Sequence, residues 1–257
     1  MVNPLPEMEF TAPVVSPQGY GLYAAAAARG FVNDLPDPTT NAPRFHGGVH
    51  IRPVNCSESF GTWPSDPCAA LPDILKEGDR PTSDVVFEPI QSWAYDECDP
   101  QETDQQSQAL ALQTLALQGP LLVESDFAAT ILSDAGAPAT ASGLVAAVGK
   151  LEEILGEAGY SGVIHASRRF AAAAADANLL IKSGGAYQTP LENTWAFGGG
   201  YSGVLGNTLV VTGPVYVWRY RPFVETTLDP SINRRASVAE RLVVVGYECV
   251  VAAVTVT

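Results

Sequence analysis

The residues of this sequence that could carry chemistry are few, and the most suggestive of them form a run of glycines. Gly198–Gly203 reads GGGYSG and satisfies the pattern G-x-G-x-x-G, in which a backbone loop holds a dinucleotide pyrophosphate at a helix N-terminus. That use of the pattern requires a buried strand before the glycines and a helix after them. Here Gly206-Asn207 and another strand-like segment follow. The sequence therefore favours a glycine-rich loop between strands over a nucleotide site.

The three histidines are not spaced for a metal site or a catalytic pair. His46 and His50 would lie roughly 13 Å apart on one face of a strand, at about 3.3 Å per residue, which is too far for one ion. His165 lies in a short apolar segment, and no serine or cysteine shows a recognisable nucleophile motif. We predict that His165 is a hydrogen-bonded core residue. The sequence predicts no catalytic residue, no cofactor site, no metal site and no enzymatic activity.

The four cysteines, Cys56, Cys68, Cys98 and Cys249, leave two alternatives open. A chain made without a signal peptide stays in a reducing compartment, so free buried thiols are the first expectation. A protein that assembles in the cytosol and later works outside could instead oxidise after release. Cys56–Cys68 would then be one disulfide, and Cys98–Cys249 would be the other only if the C-terminal strand runs beside the base of the 45–98 segment. The close C-x-x-C spacing of structural zinc sites is missing from the sequence.

Composition narrows the partners that this protein could have. With 28 acidic against 14 basic residues the net charge is −14, which repels phosphate backbones and disfavours sequence-independent binding of nucleic acid. Three pairs of arginines are expected to be solvated or salt-bridged: Arg168-Arg169, Arg219 with Arg221, and Arg234-Arg235. No segment approaches the roughly 20 continuous apolar residues of a membrane span, and the acidic, proline-rich N-terminus does not resemble a signal peptide. We therefore expect no membrane association.

Residues 45–98 predict a long hairpin that extends away from a compact domain. Two strand-like runs, 45–56 and 84–98, bracket about thirty residues rich in Pro, Gly, Asp and Ser. Loops longer than roughly 12–15 residues are uncommon inside compact domains. We expect this hairpin to lie on another copy of the protein, with charges such as Glu77, Asp79 and Arg80 setting its register. Its expected apolar anchors are Phe60, Trp63, Leu71, Ile74 and Leu75.

Helices are predicted before and after this hairpin. Residues 1–44 read as an extended arm with one short helix at Tyr23–Arg29. Asp99 and Pro100 have the residue types of a helix start, and the apolar pattern continues to Leu132, with a bend or break at Gly119-Pro120. Leucines and valines at helical spacing predict a second helix at Leu144–Ala158 that ends at Gly159.

The rest of the chain predicts an α/β segment followed by strands. Val163–Ala166 is expected to be a short buried strand, and Ser167 is expected to cap a helix at Arg168–Leu180. Strands are then predicted at Thr194–Phe197, Thr208–Arg221, Arg235–Gly246 and Tyr247–Thr257. A hairpin, a long helix, an α/β middle and closing strands together make an α+β fold.

In this element order, and in the short sequences GVIH, GGGY and AERL, the chain resembles the major capsid proteins of tailed bacteriophages and the related encapsulin shell proteins. The short sequences are similar to structural proteins of actinobacterial phages. The resemblance implies an α+β fold with an N-terminal arm, an extended hairpin loop, a spine helix, a peripheral domain and an axial domain. The implied layout is an N-terminal arm at 1–44, the extended loop at 45–98, a peripheral domain with the spine helix at 99–142, an axial domain at 143–225, and closing strands of the peripheral domain at 226–257.

The resemblance also implies a function and partners. It implies a major capsid protein of the virion that forms pentamers and hexamers of an icosahedral shell, assembles in the host cytoplasm and encloses DNA without reading its sequence. Portal, scaffold and decoration proteins are the implied partners. An encapsulin-type nanocompartment, or a tail or decoration protein, is the alternative reading.

The sequence departs from the family in two features. Some phage shells are cross-linked between a loop lysine and a neighbour's asparagine, but no motif flanks Lys76, so a solvated lysine is expected. The chain begins almost directly with its proline-rich arm, so a separate scaffold, or none, is expected.

Overall fold

The computed structural model describes residues 12–29, 31–35, 46–57, 59–66, 68, 76–82, 85–99 and 103–257. The helices are α1 (Leu22–Ala27), α2 (Asp104–Asp134), α3 (Leu144–Ala158) and α4 (Phe170–Asp176), and a 3-10 turn spans Gly200–Gly203. The strands are β1 (Val32–Leu35), β2 (Val49–His50), β3 (Val86–Phe87), β4 (Pro89–Cys98), β5 (Ala139–Ala141), β6 (Val163–Ser167), β7 (Ile181–Ser183), β8 (Ala186–Gln188), β9 (Thr194–Gly198), β10 (Thr208–Thr212), β11 (Val215–Tyr220), β12 (Phe223–Asp229), β13 (Arg234–Tyr247) and β14 (Val251–Val256).

The first sheet is built around β13, the longest of the described strands. β13 pairs antiparallel with β4, β12 and β11, and β1 adds to β11 in parallel. Helix α2 covers one face of this sheet, where Ala111 and Leu115 pack against Ala94 of β4 and Ala239 of β13. Along β4 buried residues alternate with exposed ones, as a sheet with one covered face requires.

The second sheet has the order β5-β14-β10-β6-β9-β8-β7 and is covered on both faces. Its central strands β6, β9 and β10 are buried at every residue. Ile164 and Trp195 pack with Leu151 of α3 on one side, whereas Ala196 and Val210 belong to the cluster that contains Phe127 of α2 on the other. These continuous apolar runs are typical of strands that are covered on both faces.

Two short connections between the two sheets lie side by side. β10 leads into β11 through Gly213-Pro214, and β13 leads into β14 through a turn at Glu248–Val250. The Gly213 N–H donates to the Val250 carbonyl (2.9 Å), and the Glu248 N–H donates to the Pro214 carbonyl (3.1 Å). A side chain on Gly213 would collide with the Glu248 carbonyl, so only glycine allows this approach. We call these hydrogen-bonded crossings the sheet junction.

Helix α2 differs from the prediction at its start and in its middle. Its N-cap is Thr103, which forms a capping box with Gln106, rather than Asp99. Asp99 directly follows β4, which ends at Cys98, and the helix begins only at Asp104. The helix also continues without interruption through Gly119-Pro120. Pro120 removes one backbone hydrogen bond, but packing on both sheets holds the helix together across it.

Among the described helices, α2 is long and apolar enough to cross a membrane, judged by length and composition alone. The core helix of a globular protein passes the same test. Val123, Phe127 and Ile131 are fully buried against the strands. Part of its apolar surface is therefore explained by the protein's own core, while Leu110 and Leu122 are exposed.

Other elements match the prediction in part. α3 has its predicted bounds, and Gly159 ends it in the left-handed conformation at φ 78°. α4 is shorter than predicted, since Asn178 turns left-handed just beyond it and Ser167 ends β6 instead of capping the helix. The predicted strand Thr208–Arg221 is two strands, because Gly213-Pro214 interrupts the pairing. The predicted strand Tyr247–Thr257 begins only at Val251, after a turn in which Cys249 has φ 67°.

Candidate assembly surface

The two legs of the extended loop, residues 45–98, meet at its base. Val49 and His50 pair antiparallel with Phe87 and Val86. Phe87 is buried, and its ring lies 5.3 Å from the ring of Tyr247 at the end of β13. Beyond Phe87 the second leg pairs with β13 and not with the first leg, so the described hairpin pairing is much shorter than the predicted long hairpin. The second leg therefore attaches the loop to the first sheet, and the short pairing joins the first leg to the second.

Glu248 attaches the first leg to the sheet junction. Its buried carboxylate accepts hydrogen bonds from the Val54 N–H, from the Asn55 N–H (2.8 Å) and side-chain amide (2.7 Å), and from the Tyr216 hydroxyl (3.1 Å). Burial alone would raise the pKa of Glu248, but these donors favour the charged form and the net pKa is lowered. The carboxylate is therefore ionised and holds the backbone of residues 54–55.

A disulfide adjoins this carboxylate, and it differs from both predicted pairings. Cys56 is bonded to Cys249, with Cα atoms 5.7 Å apart, rather than to Cys68. Cys249 does not reach Cys98, because Cys98 lies opposite Arg235 at the far end of β13 from the sheet junction. Cys68 is an exposed thiol, so the expectation of buried free thiols is also wrong there. The turn before the C-terminal strand does meet the extended loop, at the first leg.

The described part of the loop tip, residues 59–66, 68 and 76–82, folds back on itself. The Ser59 hydroxyl donates to the Asp79 carbonyl (3.0 Å), and the Lys76 ammonium lies 4.4 Å from the centre of the Trp63 ring. Phe60 remains 90% exposed, so the subunit itself does not cover this ring. Glu77, Asp79 and Arg80 are exposed as expected. The other expected anchors, Leu71, Ile74 and Leu75, lie outside the described residues.

The first sheet presents a second apolar surface on the face opposite α2. Trp93 of β4 is 63% exposed and Tyr95 is 46% exposed, while Ser92 and Ala94 between them are buried. Trp93 lies opposite Glu240 of β13, and Tyr95 lies opposite Val238. Reasoning from the sequence did not single out this face, although the alternation of large aromatic and small residues in β4 was a usable signal.

His165 is a core residue, as predicted. Its ring nitrogens lie 2.9 Å from the Tyr201 hydroxyl and 2.9 Å from the Thr212 hydroxyl, and it is fully buried. Burial lowers the pKa of His165 to about 3, so the ring is neutral at physiological pH. Both nitrogens are occupied by structural hydrogen bonds.

The glycine run binds a carboxylate of the protein itself. The Gly200 N–H donates to Glu124 Oε2 (2.9 Å), and the Leu22 N–H at the start of α1 donates to Glu124 Oε1 (3.0 Å). A side chain on Gly200 would collide with the Leu121 carbonyl of α2, so the glycine permits this approach. The run lies between β9 and β10, which confirms the prediction of a loop between strands.

Three of the six arginines in the arginine pairs form salt bridges within the chain. Arg219 is paired with Asp34, Arg235 with Asp104 (2.7 Å), and Arg234 with Glu97 (3.5 Å). These pairs follow the expectation of salt-bridged arginines.

The sequence matches no protein-family model and no curated protein. Solved structures are similar over nearly the whole chain. A chain of the asymmetric unit of the bacteriophage PhiM1 mature capsid is 12% identical, with a TM-score of 0.51, over 98% of this chain and 92% of that one. This protein has a phage capsid-protein fold. A chain from Mycobacterium phage Adephagia (13% identity, TM-score 0.53) is similar over 97% of this chain and 95% of that one. A chain from Mycobacterium phage Cain (13% identity, TM-score 0.52) is similar over 95% of this chain and 92% of that one.

The capsid-protein fold confirms the α+β class and the resemblance predicted from the sequence. Within this fold the exposed aromatic residues Phe60, Trp93 and Tyr95 are conspicuous, because a monomer gains nothing from leaving large apolar rings in water. They mark the loop tip and the open sheet face as candidate assembly surfaces.

Proposed function

We propose that this protein is the major capsid protein of a tailed phage, a virion structural protein that assembles with copies of itself into a closed icosahedral shell around DNA. The observation that carries the proposal is the extended loop. Its base is held to the sheet junction by Glu248 and by Cys56–Cys249, while its tip leaves Phe60 exposed. A loop so attached and so exposed is suited to lie on a neighbouring subunit.

Energetics favour this use of the tip. Covering a phenylalanine side chain contributes about 2 kcal/mol. The gain is repeated in every subunit of a closed shell, and because each subunit both gives and receives a loop, weak contacts accumulate into strong assembly. Exposed charges at Glu77, Asp79 and Arg80 would contribute mainly to the register of the contact.

The remaining assignments follow from the same proposal. The domain layout is the one implied by the resemblance: arm 1–44, extended loop 45–98, peripheral domain 99–142, axial domain 143–225 and closing strands 226–257. The protein acts without catalysis, cofactor or metal, in pentamers and hexamers assembled in the host cytoplasm, with portal, scaffold or decoration proteins as partners. The net charge of −14 is consistent with DNA that is enclosed without tight binding to the shell.

Electron microscopy of the purified protein tests the proposal. The full chain is expected to form uniform closed particles, and a chain that stays monomeric at high concentration would refute the shell function. Particles that hold a cargo enzyme instead of DNA in the native host would identify a nanocompartment. Tubes or rings would identify a tail component.

Two variants test the part played by the loop. Deletion of residues 57–83 is expected to leave a folded subunit, judged by circular dichroism, that no longer assembles. Phe60→Ala should weaken assembly, whereas Leu191→Ala, which truncates a side chain of 64% exposure outside the loop, is the matched control and should assemble normally. A deletion variant that fails to fold would show that the segment belongs to the core.

A further inference from the structure

Cys56, Glu248 and Cys249 form a cluster at the point where the extended loop meets the sheet junction. The two sulfurs and a carboxylate oxygen all lie within 4.8 Å of one another. We propose that this cluster is a redox-sensitive latch, a dithiol in the reducing cytosol that a low-molecular-weight disulfide converts to the Cys56–Cys249 bond, locking the loop to the subunit. The latch is a property of the single chain, and its effect on a shell rests on the proposed function.

Hydrogen bonds place the two thiols together before any bond forms. Glu248 holds the backbone of Val54 and Asn55, which directly precede Cys56, and Cys249 directly follows Glu248. This grip does not depend on the disulfide. The reduced loop is therefore already docked, and closing the bond requires little further movement.

The surroundings of the sulfurs favour reversible chemistry. Both cysteines are only partly buried, and both line a cleft of about 650 Å³ between the loop and the body of the subunit. Phe60 and Pro81 of the loop and Tyr160 of the body also line this cleft. A small thiol or disulfide can therefore reach the bond from solvent, which is the condition for exchange.

A metal ion explains the cluster less well. Each oxygen of Glu248 is already engaged by protein donors, Oε1 by two backbone N–H groups and Oε2 by Asn55 and Tyr216. Binding an ion through this carboxylate would break those bonds. The two sulfurs alone are half of the four ligands of a structural zinc site.

The proposed reaction is a pair of thiol–disulfide exchanges. The thiolate of one cysteine attacks the small disulfide RSSR, forms a mixed disulfide and releases RS⁻. The second thiolate then displaces the other RS⁻ from the mixed disulfide. In sum, two protein thiols are oxidised to one disulfide while RSSR is reduced to two RSH. A cytosolic glutathione pool keeps the latch reduced, and transfer to an oxidising medium closes it.

Closure changes what the loop can do. The bond joins positions 193 residues apart in the sequence, so the first leg can no longer leave the sheet junction. While the latch is open, the loop is held only by hydrogen bonds and can be released and repositioned. An open latch thus suits assembly, and a closed latch suits a finished particle.

Oxidation of the full-length protein tests the latch. Protein purified under reductant is treated with oxidised glutathione, and peptide mapping, thiol counts and melting temperature are recorded before and after. Wild type is expected to yield a Cys56–Cys249 cross-linked peptide and to melt about 5–15 °C higher. Cys68→Ser, which removes an exposed thiol outside the latch, should behave like wild type.

Cys56→Ser and Cys249→Ser should show neither the cross-link nor the rise in melting temperature. A Cys56–Cys68 cross-link in the oxidised wild type, or oxidation without any gain in stability, would overturn the proposal. Reduced and oxidised wild type are the same polypeptide, so the comparison does not depend on the folding of a variant. Particle formation is scored separately: a latch that closes in a protein forming no shells supports the latch and refutes the shell.

Discussion

Glu124 offers a stringent test of how this fold is held together. Its buried carboxylate bridges α2 to the start of α1 and to the glycine turn, through the Leu22 and Gly200 N–H groups. Glu124→Ala would leave both donors without their partner, and each such loss costs about 1–3 kcal/mol. Removing the charge also relieves its desolvation. We therefore expect a net loss of about 2–4 kcal/mol in the free energy of unfolding.

Urea unfolding of the purified subunit, followed by circular dichroism, measures this loss. For a chain of this size it corresponds to a fall of roughly 5–15 °C in melting temperature. Asp126→Asn is the matched control, because Asp126 is exposed two residues away on the same helix and should change the stability by less than about 0.5 kcal/mol. A Glu124→Ala loss no larger than that of the control would refute the bridging role.

The pH dependence of the same site has a definite sign. Burial raises the pKa of Glu124, against the opposing effect of the Gly200 and Leu22 N–H groups and of Arg168. The pKa of Glu124 is therefore higher in the folded protein than in the unfolded one. At a pH above its folded pKa the charged carboxylate lowers the stability of the fold. This cost disappears as the pH falls towards the pKa of an unfolded glutamate, about 4.3. Glu124→Gln removes this titration. Wild type should therefore gain stability relative to Glu124→Gln between pH 7 and pH 4.5, and the opposite trend would contradict the assignment.

Three further predictions concern single positions. Gly200→Ala should destabilise the subunit by about 1–3 kcal/mol because its side chain would collide with the Leu121 carbonyl, whereas Gly203→Ala, which has open space, should be nearly neutral in the same unfolding assay. The imidazole NMR signals of His165 should not titrate between pH 5 and 8; its contribution to stability, present above about pH 6.5, should decline as pH falls towards 3. Thr103→Ala should cost about 1 kcal/mol in chemical denaturation through loss of the capping box.

Local signals in the sequence predicted local structure well. α3 has its expected bounds because apolar residues at helical spacing and Gly159 act within one segment. The start of α2 was misplaced although Thr103 and Gln106 form a recognisable capping-box pattern, because Asp99-Pro100 offered a competing one. β12 was missed, yet its β-branched and aromatic residues between two prolines are a strand signal.

Long-range pairing was not predictable in the same way. Cys56 and Cys249 meet because the first leg of the loop and the β13–β14 turn converge on the sheet junction, and no local pattern encodes that convergence. Glu124 likewise gave no sign of its role, since an acidic residue in a helix normally faces solvent. The capsid-protein fold itself was recognisable because element order survives when individual residues do not.

The sheet junction has a mechanical consequence for the extended loop. A pull on the first leg is transmitted through Glu248 and Cys249 to the turn between β13 and β14, and from there through the Glu248 and Gly213 backbone bonds to the neighbouring crossing. The force therefore reaches both sheets at once through the sheet junction. It does not act on a single edge strand, whose hydrogen bonds would break one at a time. A loop anchored in this way can bear tension between subunits without peeling its own subunit apart.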